Sequence, residues 1–530
     1  MQSAKPTRFV RDATGLVREI SPIDAFFANL AVINLPLGML TYTTAPYVFP
    51  GSDPVLATLL ATVLSIFPSL MYTLFTWAMP RSGGEYVYVS RVIHPVLGFI
   101  ANFSMMAWFL FFAGILANWM TTLALAPSVL VVGTVTSNQG LVSFANNVLS
   151  QNTTVIAIGL VVIAIMSLLM GRGVRATVRA IRVMMVVMLI GVIIAVGLLL
   201  TNTHASFIND FNTFASYNQT LNAAHQAGYS PVGSNNLLAT IGVMPFAWFS
   251  IGFGVVTSYF AGEVREVKKN ALYSQLGSTI AAGIGLSILG ALAIGVFGYD
   301  FLGSMTSLSF SASSSYPLTV SPYFNLFVSM LTTNPLLLWV LAASYIAGFY
   351  INAQANYLLA TRSIFAWSFD RVIPTKFADL NKRLNSPVYA VLLVAIINAL
   401  GLVFYTVYSS TLLALESGDS LGFVTVFIIT SIAGIVFPYA KKTFFESSPA
   451  NIKVGGVPLI TISGVISLIF YSTLAYFYVS NPLYGANIPI VYETIGLVAF
   501  VPLLIFVVAY YYRKGQGINL MDIFREIPPE

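Results

Sequence analysis

Trp248–Ser258 reads WFSIGFGVVTS and sits near the centre of an apolar run, Leu237–Gly262. Its two glycines and three hydroxyl residues give that run its most flexible backbone, because each glycine weakens a helix by roughly 1 kcal/mol relative to alanine. What such a stretch means depends on the solvent around it, and the rest of the chain defines that solvent.

Of 530 residues, 57% are hydrophobic and 8% are charged, against roughly a quarter charged in an average soluble domain. That composition excludes an ordinary soluble protein. Apolar stretches recur close to the ~20 residues that cross ~30 Å of hydrocarbon as helix. The pattern predicts an all-α integral membrane protein with twelve transmembrane helices at 22–48, 54–79, 93–126, 153–171, 180–201, 236–262, 271–298, 335–366, 387–408, 420–439, 457–479 and 490–512. The expected organisation is a cytoplasmic tail at 1–20, a first five-helix repeat at 21–201, a second at 236–439, two further helices at 457–512 and a cytoplasmic tail at 513–530. The first run continues as an ordinary span, so no cleaved signal peptide is expected. The chain has no cysteine, which removes disulfides, thiolate metal sites and thiol nucleophiles together.

With these spans, all 24 Lys and Arg residues fall on one side, from Lys5, Arg8, Arg11 and Arg18 through Arg81, Arg91 and Arg172–Arg182 to Lys382, Lys441 and Arg513. The positive-inside bias makes that side the cytoplasm, with both termini inside and a plasma-membrane location. The net charge of +6 then needs no nucleic-acid partner. The opposite loops, 127–152, 202–235 and 299–334, are rich in Ser, Thr and Asn, and they hold the sequons at Asn152 and Asn218. Ser21-Pro22, Asp53-Pro54, Asn334-Pro335 and Ser386-Pro387 each put a capping residue before a first-turn proline and read as helix starts. The same signal in Ser321–Thr333 predicts a short helix outside the membrane, part of an outer lid.

The opening stretch is therefore a break in the sixth span. The first span carries a matching one, INLPLG at Ile33–Gly38, where Pro36 removes a backbone donor and clashes with the preceding turn. Irregular backbone at membrane depth is tolerated only where protein or a water-filled cavity surrounds it. Breaks five spans apart imply two units of opposite topology, the arrangement of a carrier with its solute site between interrupted helices.

Four further stretches carry a resemblance. MPRSGGEYVYVSR (Met79–Arg91) is similar to the Pro-x-x-Gly-Gly-x-Tyr connection of the amino acid–polyamine–organocation superfamily, and GFGVVTSYFAGEVREVKKN (Gly252–Asn270) resembles its sixth helix. ATRSIFAWSFDRVIPTKFADLNKRLNSP (Ala360–Pro387) resembles the loop after its eighth helix, and REISPIDAFFANLA (Arg18–Ala31) its lead-in to the first. The resemblance implies a permease with an inverted five-plus-five repeat, a LeuT-like fold, and secondary active transport or symport of amino acids or related amines by alternating access.

It also implies a substrate site where spans one and six unwind: Ile33, Asn34, Leu37 and Gly38 on one side, and Trp248, Phe249, Ser250, Ile251, Gly252 and Gly254 on the other. Free amides there would take the substrate carboxylate, and Trp248 would cover the substrate. The first motif departs from the family's Gly-Ser-Gly, so the carboxylate cradle has fewer donors. In span eight, Tyr345, Gly348, Phe349, Asn352 and Asn356 share a face, with Asn352 expected to reach the cavity. No cofactor is expected. The coupling ion is left open between a proton and sodium, since Met188 stands where some relatives carry a lysine.

Plainer readings stand beside these. Gly252 and Gly254 suit close helix packing equally well, Asn352 and Asn356 suit bonds to neighbouring helices, and Glu85 and Glu263 are expected to pair with loop arginines. Arg172–Arg182 reads as a topology signal. An enzyme is not expected, because His94, His204 and His225 are scattered over loops. Alternatives are a carrier of a polyamine, an organic amine or a nucleobase, an amino acid exchanger, or a channel. The expected partners are a small-molecule substrate and the bilayer, with the oligomeric state open. No ionisable residue lies mid-span, Glu416, Asp419 and Glu493 being near outer ends, so a neutral amino acid is the expected substrate.

Overall fold

The structure is a computed structural model that describes residues 18–230, 236–381 and 386–525, with backbone alone at 409–417. Lys5, Arg8, Arg11, Lys382, most of the 1–20 tail and the end of the 513–530 tail lie outside these residues, as does the Glu416 side chain.

Caps and prolines start the helices much as the sequence indicates. Ser21 accepts from the Asp24 amide at 3.3 Å and opens α1 (Pro22–Ile33). Two shorter pieces follow, α2 (Leu35–Gly38) and α3 (Leu40–Val48). Asp53 accepts from the Val55 amide at 2.9 Å and opens α4 (Pro54–Ala78). After α5 (Glu85–Val92), α6 (Pro95–Trp119) passes through a π turn into α7 (Ala126–Val135). Next come α8 (Gln139–Asn147), α9 (Asn152–Gly171), α10 (Val174–Thr201), α11 (His204–Phe211), α12 (Tyr217–Gln226) and α13 (Leu237–Ile251). Beyond α13 the chain continues in 3-10 turns, Val256–Tyr259 and Ala261–Glu263, before α14 (Val267–Ala271) and α15 (Gly277–Phe297). Then follow α16 (Tyr299–Phe310), α17 (Phe324–Met330), α18 (Pro335–Phe369), α19 (Val388–Val407), α20 (Ser409–Ala440) and α21 (Lys442–Ser447). A two-stranded hairpin, Lys453–Val454 with Val457–Pro458, leads to α22 (Leu459–Ser480), α23 (Pro489–Gly515) and α24 (Leu520–Ile523).

Among the described residues, ten helices are long and apolar enough to cross a bilayer, and α1–α2 with α3 make an eleventh if taken as one span bent by 44°. Several boundaries differ from expectation. The span expected at 236–262 is regular helix only to Ile251. The span expected from 180 starts at Val174, so Arg175, Arg179 and Arg182 ride on the helix, and Arg182 reaches Asp24 at 2.6 Å and 2.7 Å. α20 begins at Ser409 rather than 420, which leaves Asp419 within the helix and buried. Ser386 does not cap α19; its hydroxyl donates to the Met170 carbonyl at 2.9 Å. The short helix expected within Ser321–Thr333 is present as α17, and α8, α11, α12 and α16 add helical turns to the polar loops.

Burial separates the centre from the rim. The most apolar window of Pro95–Val135 is 72% buried and that of α23 only 17%, so the former is enclosed by other helices while the latter faces outward. Exposed Leu, Ile and Val on α9, α10 and α19 suit lipid contact. Lipid is as apolar as these side chains, so close packing and polar contacts hold the helices together. α1 packs on α18, α10 and α15, and α13 packs on α4.

Candidate functional site

Asn34 makes the first break. It has φ +52°, a region that L residues other than Asn, Asp and Gly rarely adopt, and it ends α1. Its Oδ1 then accepts from the Leu37 amide at 3.3 Å, capping α2, while its Nδ2 donates to the Gly348 carbonyl at 3.1 Å. α18 answers with a second amide: Asn352 Nδ2 donates to the Val32 carbonyl at 3.2 Å, and Asn356 Nδ2 donates to Asn352 Oδ1 at 2.9 Å. The face of α18 singled out from the sequence does meet span one. Asn352 is nonetheless occupied by backbone there rather than aimed into open space.

The small residues explain the close approach. A Cβ on Gly348 would come within 2.8 Å of Pro36 Cγ. Beside this contact, Pro36, Leu37, Leu40, Tyr345 and Phe349 close a cavity with Tyr323, Phe324 and Asn325 at the start of α17. Its free volume is about 20 Å³, room for a water and little more. Among the described residues no charged side chain lines it, and the buried Tyr345 hydroxyl has no hydrogen-bond partner. Asn325 fastens α17 by donating to the Leu123 carbonyl at 2.6 Å.

The second break lies alongside the first. α13 ends where the Gly252 amide meets the Trp248 carbonyl at 2.7 Å. A Cβ on Gly38 would stand 3.2 Å from the Ser250 Cβ and 2.6 Å from Leu286 Cδ2. Asn34, Leu37, Gly38, Ser250 and Asn352 are thus gathered around the two breaks, with Ile33 and Ile251 buried in the surrounding core. Other expected site residues point elsewhere. The Trp248 indole packs on Phe253, Phe427 and Tyr471, with centroids 5.8, 6.1 and 5.7 Å away, towards α20 and α22. Gly252 has φ −68°, so it needs no glycine for conformation; a Cβ there would overlap Trp248 Nε1. A Cβ on Gly254 would overlap Thr279 Oγ1 of α15. Both glycines are packing positions. Phe249 is half-buried and stands edge-on to Phe112, centroids 5.9 Å apart.

Residues not singled out from the sequence tie the unwound end of span six in place. Asn29 Oδ1 accepts from the Thr257 amide at 3.3 Å, its Nδ2 donates to Thr257 Oγ1, and that oxygen meets Ser274 Oγ at 2.8 Å. An amide inside the apolar run of span one was the available signal. At the end of the molecule that carries the basic residues, the Gly83 and Gly84 amides donate to the Tyr259 and Ser258 carbonyls at 3.0 and 3.2 Å. Ile20 donates to the Glu263 carbonyl at 2.9 Å. The Glu263 carboxylate pairs with Arg362 Nε and Nη2, both side chains buried. Glu263 thus has an arginine, but one carried by α18 rather than by a loop, whereas Glu85 has none among the described residues. Met188 is buried, and its carbonyl accepts from Ser344 Oγ at 2.9 Å.

Residues 23–500 match the amino acid permease family, a stretch that takes in both breaks, the Gly83-Gly84 loop and the Glu263–Arg362 pair. The chain belongs to that family. No curated protein is similar enough to the chain to count as a match. As an amino acid permease of the amino acid–polyamine–organocation superfamily, it is a multi-pass membrane protein that transports amino acids or related solutes rather than an enzyme. In this permease the polar groups at the two breaks are largely backbone and neutral amide or hydroxyl groups.

Proposed function

We propose that the permease moves neutral amino acids across the cell membrane by alternating access, with a proton or sodium as the coupling ion and the substrate held between the breaks of spans one and six. The observation that supports this is the side-by-side position of the breaks, Gly38 against Ser250, next to a cavity without a charged lining. Interrupted helices end in unpaired amides and carbonyls, which suit a carboxylate and an ammonium at little reorganisation cost. On this reading bent α1–α3 form span one, α13 with the turns through Glu263 forms span six, and twelve crossings result. Residues 21–201 and 236–439 are then inverted repeats, followed by 457–512, with both tails at the basic, cytoplasmic end.

The cavity is too small for an amino acid, so α17 must withdraw to admit one. A cationic or acidic side chain brought to this depth would be costly without an opposite charge. In proteoliposomes, uptake of alanine, leucine or phenylalanine should exceed uptake of arginine, glutamate or putrescine. Preferred uptake of arginine or a polyamine would refute the neutral-substrate reading. Thermal stabilisation of the purified permease by a panel of amino acids and nucleobases at one concentration ranks the candidates independently, because stabilisation grows with the logarithm of ligand concentration over Kd.

A further inference from the structure

The buried acids at the basic end differ in one respect. Glu263 pairs with Arg362, Asp370 with Arg91 and Asp24 with Arg182. Glu85, 0% exposed, has no Lys, Arg or His among the described residues within ion-pair distance. It lies between the second and third spans, at the start of α5. Neutral donors hold it instead: Oε2 accepts from the Tyr259 hydroxyl at 2.5 Å, and Oε1 accepts from Asn102 Nδ2 at 2.7 Å.

Each packed element contributes to this enclosure. α4 brings Tyr72 nearby, its hydroxyl donating to Thr430 Oγ1 at 3.4 Å, α5 itself brings Tyr88 nearby, and α6 brings Asn102. α18 brings Trp367, whose Nε1 donates to Asn102 Oδ1 at 2.7 Å and so turns the Asn102 amide towards Glu85. α20, also packed on α5, brings no basic group within ion-pair distance. Arg91, on Glu85's own helix, is engaged by Asp370 at 2.7 Å.

The position matters because Tyr259 belongs to the unwound end of span six. Gly83 and Gly84, immediately before Glu85, hold the backbone of that same stretch. The carboxyl and the two glycine amides therefore form one latch between the loop after α4 and span six. Opening the basic end requires this latch to part, and parting it admits water to Glu85.

We propose that Glu85 is a proton-binding site whose occupancy is linked to closure of the permease's basic end: protonated while Tyr259 covers it, ionised once the unwound end of span six moves away. The inference rests on the alternating-access reading and adds the ion that controls one of its gates. A carboxyl removed from water and without a cation favours the neutral form. Burial accordingly raises Glu85 from its ordinary 4.5 to about 7 in the closed structure. The closed form thus binds the proton more tightly than the open, hydrated form. Its contribution to closure is complete below 4.5 and is lost as pH rises through about 7. When protonated, the carboxyl can donate to Tyr259 Oη and still accept from Asn102, so the latch keeps its bonds.

The absence of cysteine permits a direct test on the full-length permease in detergent. A single cysteine at Ser258, which is 0% exposed, reports opening through its rate of maleimide labelling, normalised to a cysteine at Ser448. The normalised rate should rise several-fold as pH passes through about 7 and stay low and flat in Glu85→Gln, which retains a neutral group there. Parallel profiles in the two backgrounds would overturn the proposal. Tyr259→Phe provides a second reading, since loss of a donor to the carboxylate should move the midpoint upward; an unmoved midpoint overturns it as well. Labelling needs neither substrate nor flux, so failed amino acid uptake would count against the transport reading alone.

Discussion

Asn34 concentrates three functions in one side chain: it ends α1 at positive φ, caps α2 and ties span one to the Gly348 carbonyl. Asn34→Ala keeps none of the side-chain bonds and puts an alkyl residue in a disfavoured region, a combined cost of about 2 kcal/mol. Asn34→Gly relieves the backbone part and should melt between wild type and Asn34→Ala. Equal melting of all three proteins would mean that the break is held by its neighbours. Gly252 carries a different lesson. Gly252→Leu must displace the buried Trp248 ring, an overpacking cost of ~1–3 kcal/mol, and should lower the melting temperature. Gly197→Ala, with nothing within 4 Å of the added carbon, should leave it unchanged or slightly raised. If Gly252→Leu melts like wild type, Trp248 has room that its ring contacts do not suggest.

Among the elements, α18 does most to organise the site. It contributes Gly348 and Asn352 to span one, Tyr345 and Phe349 to the cavity, and Arg362 to Glu263. Removing one member of a buried ion pair leaves an uncompensated charge, which costs about 3–5 kcal/mol. Arg362→Met should therefore be poorly stable. Glu263→Gln with Arg362→Met should recover much of the loss, because the stranded carboxylate goes too. Thermal unfolding of the two variants decides this, and a double variant no better than Arg362→Met would place the cost in lost packing of the arginine stem. Span-level features were largely legible: a proline behind a polar residue starts α1, α4 and α18. Ser386-Pro387 failed because Ser386 spends its hydroxyl on Met170 of another helix, a partner that local sequence cannot reveal.

At the scale of the molecule, the lipid-facing rim and the enclosed centre follow from which helices carry breaks and polar groups. Orientation is a separate matter and can be read with single cysteines at Ser313 and Ser448, both partly exposed. An impermeant reagent applied to right-side-out vesicles should label Ser313→Cys and spare Ser448→Cys. The reverse pattern would place the basic end outside and remove the basis for the inverted-repeat reading.

Composition and apolar run length alone were enough for a polytopic helical membrane protein, because the bilayer imposes a length and an absence of charge that any such chain must display. The permease family was legible for a related reason: its connecting motifs are contiguous in the chain, and the Gly83-Gly84 loop and the end of span six can be read without knowing what they touch. Tertiary structure decided the direction of each side chain at the breaks. Trp248 and Gly252 lie on a helix with several crowded neighbours, and only packing turns the indole towards Phe427 and Tyr471. Glu85 and Glu263 look alike in sequence, each close to arginines. Burial beside Arg362 makes one an ion pair, while enclosure by Tyr72, Tyr259 and Asn102 makes the other a solitary carboxyl, since charge partnership is a property of three-dimensional neighbours rather than of spacing along the chain.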